Sequence, residues 1–473
     1  MLSDDIVYLS VRELGDQIKS GKLSPTELTQ SYLERSQSIG KRLNAYATIT
    51  YETALKQAHA AEAEIKSGKY RGPLHGIPYA AKDLLAVKGY PTTWGARPYA
   101  NQMFDYDATV ITKLQGAGAI LVGKAAMIEL AGGMGYRYAT ASATGAAKNP
   151  WNQDCWTCGS SSGSGAIAAA ALAAFAIGTE TWGSIICPSA YCGVSGLRPT
   201  YGRVSRHGAM ALSYSMDKIG VLGRTADDCG LVLSVIGGHD PLDRSSLPEP
   251  SFNYTNPATK NGLRIGWLTN AWADVPATIS APVKAAVEVL KANGAIVEDA
   301  KLPDGPWEAA AGIIVSVEGA TAFESLIESG KVAQLNDPLG KIGGYINQQI
   351  PASDYMRAIR IRGILQKKMD DLFEHFDVLA AASLPVTATT LDTNLETDLS
   401  FSDPLGGIGN FCGLPALSVM CGLSADKKLP VGIQFVGRPK DEESVIAAAN
   451  LFQQHTDWHR KRPPLGKEVL NRK

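Results

Sequence analysis

Cys158-Gly159-Ser160-Ser161-Ser162-Gly163-Ser164-Gly165 is followed, one alanine-rich hop later, by Gly178-Thr179-Glu180-Thr181-Trp182-Gly183-Ser184-Ile185. Two hydroxyls in glycine-framed loops, Ser160 and Ser184, stand 24 residues apart in this reading. The run Ala166-Ile167-Ala168-Ala169-Ala170-Ala171-Leu172-Ala173 between them predicts one tight helix of small residues. Gly/Ser runs by themselves are flexible linkers. The neighbouring Trp151 and Trp156 and the alanine run argue for burial instead, and two serine loops clamping one helix describe a built site.

A serine hydroxyl is a poor nucleophile until a base removes its proton and donors stabilise the oxyanion it creates. Upstream, Gly76-Ile77-Pro78-Tyr79-Ala80-Ala81-Lys82-Asp83 supplies a base. Lys82 follows apolar and small residues, a setting that desolvates an ammonium and lowers its pKa. A neutral Lys82 accepts a proton from one serine, which accepts it from the other. Successive backbone N–H groups of Thr181, Trp182, Gly183 and Ser184 are able to converge on one point as an oxyanion hole. Gly159-Ser160-Ser161-Ser162-Gly163 also matches the G-x-S-x-G elbow with Ser161 as nucleophile, but that motif follows a strand, and Asn149-Pro150-Trp151-Asn152-Gln153-Asp154 reads as a turn. A phosphate loop requires G-K-[ST] at the helix start, which Gly165-Ala166-Ile167 lacks.

With these residues in order, the chain resembles the amidase signature family, hydrolases with a Ser–cis-Ser–Lys triad. The likeness runs from about Leu9 to Pro464. Besides the segments above it is carried by Cys192-Gly193-Val194-Ser195-Gly196-Leu197-Arg198-Pro199-Thr200, Asn410-Phe411-Cys412-Gly413-Leu414-Pro415-Ala416 and Leu429-Pro430-Val431-Gly432-Ile433-Gln434. The resemblance implies Ser184 as nucleophile, Ser160 on a cis peptide as proton shuttle, Lys82 as general base and an oxyanion hole at Thr181 to Ser184. Asp83 and Ser161 are assigned support of Lys82 and its loop. By position, Gly132, Gly133 and Met134 should line the substrate pocket, with Trp307 to Leu365 forming more of its wall. Three departures stand out. Trp182 replaces a usual glycine, Ile186 a usual arginine, and Cys158 the first of two usual glycines before the cis-serine.

The chain has 473 residues, enough for a large core, and 45 basic against 46 acidic side chains, no electrostatic footprint for nucleic acid. No stretch is apolar for long enough to span a bilayer, and Met1-Leu2-Ser3-Asp4-Asp5 lacks a signal-peptide pattern, so a cytoplasmic enzyme is expected. Seven scattered cysteines suit reduced thiols. Cys155-Trp156-Thr157-Cys158 has C-x-x-C spacing, but no second pair or histidine cluster completes a zinc site, so neither metal nor cofactor is expected.

Residues Val11 to about Lys69 read as helical, with Ser24 an N-cap and Pro25 at the first helical position. Ala119–Lys124 and Leu263–Leu268 read as strands; Ala281–Asn293 is an amphipathic helix before a strand at Ala295–Glu298. This β-α-β order, with the resemblance, gives an α/β/α sandwich: one large mixed β-sheet covered by helices. A single domain over residues 1–473 is expected, with N-terminal helices to 70, the signature core at 71–235, a connection at 236–262, the variable pocket segment within 263–375 and the rest of the core at 376–473.

The first functional reading is an amidohydrolase, monomer or homodimer, acting on small, mainly apolar amides and anilides, with aryl carbamates (urethanes) a further class. The alternative is the glutaminase subunit of a glutamyl-tRNA(Gln) amidotransferase. Arg198–Arg206, Gly238–Asp243 and Asp403, the match to the acid that holds the glutamine amino group, resemble that subunit. The arginine expected for the glutamine carboxylate falls near Lys341-Ile342, where none stands.

Overall fold

The computed structural model of the chain describes residues 2–248, 251–271, 275–398 and 403–465. Among them, eleven strands form one mixed sheet: β1 (Tyr46–Ile49), β2 (Pro78–Lys82), β3 (Ile120–Ala125), β4 (Phe175–Glu180), β5 (Ser195–Arg198), β6 (Lys218–Gly223), β7 (Arg264–Leu268), β8 (Ile296–Ala300), β9 (Val378–Ala382), β10 (Ala416–Leu423) and β11 (Pro430–Gly437). Their order across the sheet is β1-β3-β2-β4-β6-β5-β10-β11-β9-β7-β8. Helices Ala226–Ile236, Ala277–Ala292 and Glu442–Gln454 cover β5, β6, β10 and β11, and a second set including Ser162–Ala169 and Ile186–Cys192 packs on β4, β10 and β11. This is the expected α/β architecture around a single large mixed sheet.

β2 lies between β3 and β4 and runs parallel to both. All five of its residues are buried, so it reads as a continuous apolar and small run rather than an alternating one. Parallel strands bring their carboxyl ends to one edge, the usual place for ligands in open α/β sheets. Lys82 ends β2 and Glu180 ends β4. The two serine loops gather at that edge.

The N-terminal region is helical as expected at Val11–Lys19, Pro25–Arg35 and Tyr51–Lys66. Ser24 caps its helix by accepting the N–H groups of Thr26 and Glu27 at 3.1 and 3.2 Å, with Pro25 in the first turn. The expectation fails at β1, where Tyr46-Ala47-Thr48-Ile49 pairs antiparallel with β3. β-branched and aromatic residues on a half-buried surface favour the strand there. The alanine spacer also departs from the single helix expected. The helix spans Ser162–Ala169, Ala171 takes a left-handed φ of 48°, and the chain then enters β4. The last alanines of the run, Ala170 to Ala173, form the turn that leads into β4, whose pairing with β2 and β6 begins at Phe175. The strand–helix–strand reading from 263 onward holds, with β7 parallel to β8.

Among the described residues, His239 to Pro257 contains no helix or strand, and the variable segment folds into helices Trp307–Ala322, Glu324–Glu328, Gly340–Asn347 and Ala352–Leu372. No helix among the described residues is long and apolar enough to cross a membrane.

Candidate active site

Lys82 is fully buried at the end of β2. Its Nζ lies 2.7 Å from Ser160 Oγ, 3.0 Å from Ser161 Oγ and 2.8 Å from Thr179 Oγ1. Burial pushes its pKa down to about 7, against the opposing pull of the Asp217 and Glu180 carboxylates. Loss of hydration disfavours the charged amine more than these two acids restore it.

The loop carrying Ser160 feeds directly into helix Ser162–Ala169. Gly163 allows that helix to press onto β3 and its flank, since a Cβ there would meet Ala45 O at 2.3 Å and Ala126 N at 2.5 Å. The Gly159–Ser160 peptide is cis. Ser160 Oγ stands 3.0 Å from Ser184 Oγ, so Lys82, Ser160 and Ser184 form one continuous hydrogen-bonded line. Hydroxyl protons rotate to suit their partners, so this line carries a proton either way. Ser161, the alternative nucleophile of the elbow motif, is held by Lys82, Thr179 O and Thr179 N. Ser184 has no such set of anchors.

Ser184 sits in the turn between β4 and helix Ile186–Cys192. Gly183 has φ +82°, a conformation that suits glycine, and its carbonyl accepts Cys187 N at 2.7 Å. Among the described residues, the N–H groups of Trp182, Gly183 and Ser184 donate to no protein acceptor. Buried amides ordinarily find partners. Unpartnered N–H groups around a nucleophile are what an oxyanion requires. The Thr181 hydroxyl is tied down by Asp217, whose other oxygen takes the N–H groups of Leu212 and Ser213 at 2.8 and 3.0 Å.

The Amidase family profile matches residues 27–446. The chain belongs to the amidase signature family. The A subunit of glutamyl-tRNA(Gln) amidotransferase from Moorella thermoacetica is 35% identical over 98% of this chain and 99% of its own length, and that of Chloroflexus aggregans is 34% identical with the same coverage. Among solved structures, peptide amidase from Stenotrophomonas maltophilia matches with TM-score 0.85 and 30% identity over 96% of this chain and 98% of its own. A bacterial aryl acylamidase matches with TM-score 0.86 and 25% identity over 98% of this chain and 100% of its own. As in other members of this family, the chain is an enzyme that hydrolyses carbon–nitrogen bonds.

Against the family pattern, the Trp182 ring packs beside Gly407, against the apolar cluster that includes Trp307, Leu405 and Ile408. Ile186 is buried in the same cluster. The Cys158 thiol meets Cys187, and Cys155 is buried in an apolar cluster with Tyr191 and Leu384. Both cysteines of the C-x-x-C pair are free thiols, Cys155 within this apolar cluster and Cys158 packed against it, and no group of three or more His, Cys, Asp or Glu among the described residues is arranged to hold a metal ion.

Of the loop 132–134, Met134 is 2% exposed and packs against Gly344 and Ile327, and Gly133 is enclosed by Leu212 and Phe323. The preceding Ala131 instead lines a cavity of about 180 Å³ together with Thr179, Thr181 and Leu212. Met134 thus acts as core. Gly132 is half-buried against Tyr136. A larger cavity, about 580 Å³, lies between Tyr8, Arg12, Arg224 and His459 and is lined by none of Ser160, Ser161 and Ser184. Asp83, expected to support Lys82, forms a buried ion pair with Lys124 at 2.8 Å and braces β2 on β3. Sequence reasoning missed Asp217 and Glu180, each of which joins near neighbours to residues farther along the chain, Thr181 for Asp217 and Arg198 and Asn410 for Glu180.

Proposed function

We propose that this chain hydrolyses a carboxamide through an acyl-enzyme on Ser184. The observation that carries the proposal is the Lys82–Ser160–Ser184 line, at 2.7 and 3.0 Å, ending at the Trp182, Gly183 and Ser184 amides, which among the described residues have no protein acceptor. Ser184 Oγ attacks the carbonyl carbon as its proton passes to Ser160 and the Ser160 proton passes to neutral Lys82. The N–H groups of Thr181, Trp182, Gly183 and Ser184 receive the developing oxyanion. When the C–N bond breaks, Ser160 protonates the departing nitrogen and recovers its proton from Lys82. Water then attacks the acyl-enzyme through the same relay, releasing the acid and restoring Ser184. No step in this scheme calls for a metal or organic cofactor.

Two substrate readings share this chemistry. Sequence similarity favours the glutaminase subunit of a glutamyl-tRNA(Gln) amidotransferase, since 35% identity extends over nearly the whole chain. Asp403 fits that reading: it caps helix Pro404–Phe411, is half-buried beside Gln434, and burial lifts its pKa to about 7. A bound ammonium would bring it down again. The second reading, a self-sufficient hydrolase of small apolar amides, anilides or aryl carbamates, rests on the missing carboxylate partner. Position 341 is an exposed lysine and 342 an exposed isoleucine, so no guanidinium stands there to grip a glutamine carboxylate. The fold similarity also leans this way, with TM-score 0.86 to the aryl acylamidase and 0.77 to the amidotransferase protein of Thermotoga maritima.

A side-by-side assay of the purified chain on 4-nitroacetanilide, an aryl carbamate and free glutamine separates them. Glutamine turnover that requires an added amidotransferase partner, with no anilide cleavage, establishes the first reading. Anilide or carbamate cleavage by the chain alone establishes the second. Failure on all three substrates, with and without the partner, contradicts both.

A further inference from the structure

Glu180 is a buried carboxylate that the proton relay does not use. It closes β4 with no exposed side-chain surface, four residues before Ser184. Both of its oxygens are committed. Oε2 accepts the backbone N–H groups of Ile185 at 2.7 Å and Ile186 at 2.9 Å. Oε1 accepts Arg198 Nη1 at 2.6 Å and Asn410 Nδ2 at 2.8 Å. The two amides it holds are the first two after Ser184, so this carboxylate fixes the exit of the turn that presents the nucleophile. Asp217 fixes the entrance through Thr181. Arg198 comes from β5 and Asn410 from helix Pro404–Phe411. Three distant segments thus converge on one turn.

We propose that Glu180, held in place by Arg198 and Asn410, is the positioning residue of the nucleophile turn, setting where Ser184 Oγ and the N–H groups of residues 182–184 stand without touching the substrate. The inference rests on Ser184 being the nucleophile. A buried ion pair is a weak device for stability, since apolar residues of similar volume do as well or better. A charge-assisted acceptor on two successive amides instead fixes their direction. Catalysis is sensitive to such placement: an error of about 1 Å costs on the order of 100-fold.

The Glu180 charge also reaches the base. Burial would raise the Glu180 pKa, but the Arg198 guanidinium and the Ile186 N–H bring it down to about 2, so it stays ionised. Its negative charge then raises Lys82, as Asp217 does. The other charged and titratable groups facing Glu180 are Arg198, Lys218, Asp403 and the Cys187 thiol.

Glu180→Gln keeps the shape and removes the charge and one acceptor. Its amide NH₂ must oppose either the Arg198 and Asn410 donors or the two backbone N–H groups, so half of the clamp fails. The test is the rate at which a fluorophosphonate labels the full chain, with the label mapped by peptide mass, across about pH 5 to 9. Wild type is expected to take the label on Ser184. In Glu180→Gln the plateau rate should fall by roughly 10- to 100-fold. The acid limb should also move to lower pH, because an ammonium relieved of a nearby negative charge loses its proton more easily. A folded Glu180→Gln labelled at the wild-type rate overturns the inference. A lowered plateau with an unmoved limb also overturns it, by assigning Glu180 to the fold alone. If Glu180→Gln does not fold, Asn410→Ala removes one donor and leaves the Arg198 pair; it should slow labelling by about 3- to 10-fold, and an unchanged rate is contradictory. Absence of label on Ser184 in wild type removes the underlying reading and this inference together.

Discussion

Alanine at position 184 is expected to lower amide turnover by about 10⁴-fold or more, the scale seen when a covalent nucleophile is removed and only binding and oxyanion donors remain. Ser184 is 7% exposed and, among the described residues, its Oγ hydrogen-bonds only with Ser160, so its deletion leaves no buried charge unpaired. Little stability should be lost. The check is kcat on whichever substrate the side-by-side assay identifies, alongside a melting curve. A folded Ser184→Ala protein with near-normal turnover contradicts the scheme. Ser160→Ala should lose slightly less, because a water molecule is able to bridge part of the gap to Lys82.

The second large effect is in pH. Lys82 serves as base only when neutral, and burial sets its pKa at about 7. A group whose pKa is depressed toward 7 is protonated below that value, so kcat/KM should fall about tenfold per pH unit on the acid side and level off above about pH 8. An ordinary exposed lysine, near 10.4, would still be climbing at about pH 10. Lys82→Arg keeps the length and a cation but never deprotonates, so it should be inactive across the whole range. A wild-type profile that is flat from about pH 5 to 9 would exclude Lys82 as the base.

How much of this was readable from the chain differs by element. Lys82, Ser160 and Ser184 were visible because each stands in a short local pattern of glycines and small residues, and the structure brings all three together. β3, β7 and β8 were visible as apolar runs, and the helix at Pro25 through its cap. β1 was hidden inside a helical-looking stretch, because only its partner β3 makes it a strand. β4 was hidden behind the alanine run before it, and only its pairing with β2 and β6 marks it as a strand. The clamp on the nucleophile turn was illegible for a different reason. Glu180 is 230 residues from Asn410 and 18 from Arg198, and no local spacing announces such contacts. The same holds for the pocket loop, where the chain's path turns Ala131 toward the cavity and Met134 into the core.

The Glu180 clamp and the Asp217 tether also explain how the turn tolerates its unusual residues. Trp182 retains its backbone N–H while its ring leaves the turn and packs beside Gly407. Ile186 contributes no charge, but the Glu180 carboxylate is already paired with Arg198 at 2.6 Å. The side chains at 182 and 186 both enter the adjacent apolar cluster, whose shape they help to set.

The central claim, that Ser184 becomes covalently acylated, is tested most directly by trapping the intermediate. The full chain is mixed with 4-nitrophenyl acetate, quenched in acid during the burst, digested and mapped by peptide mass. The account predicts a single acetyl group on Ser184, absent from Ser184→Ala and still formed, far more slowly, in Ser160→Ala. An acetyl group on Ser161 instead, or a burst that survives the loss of Ser184, would contradict it.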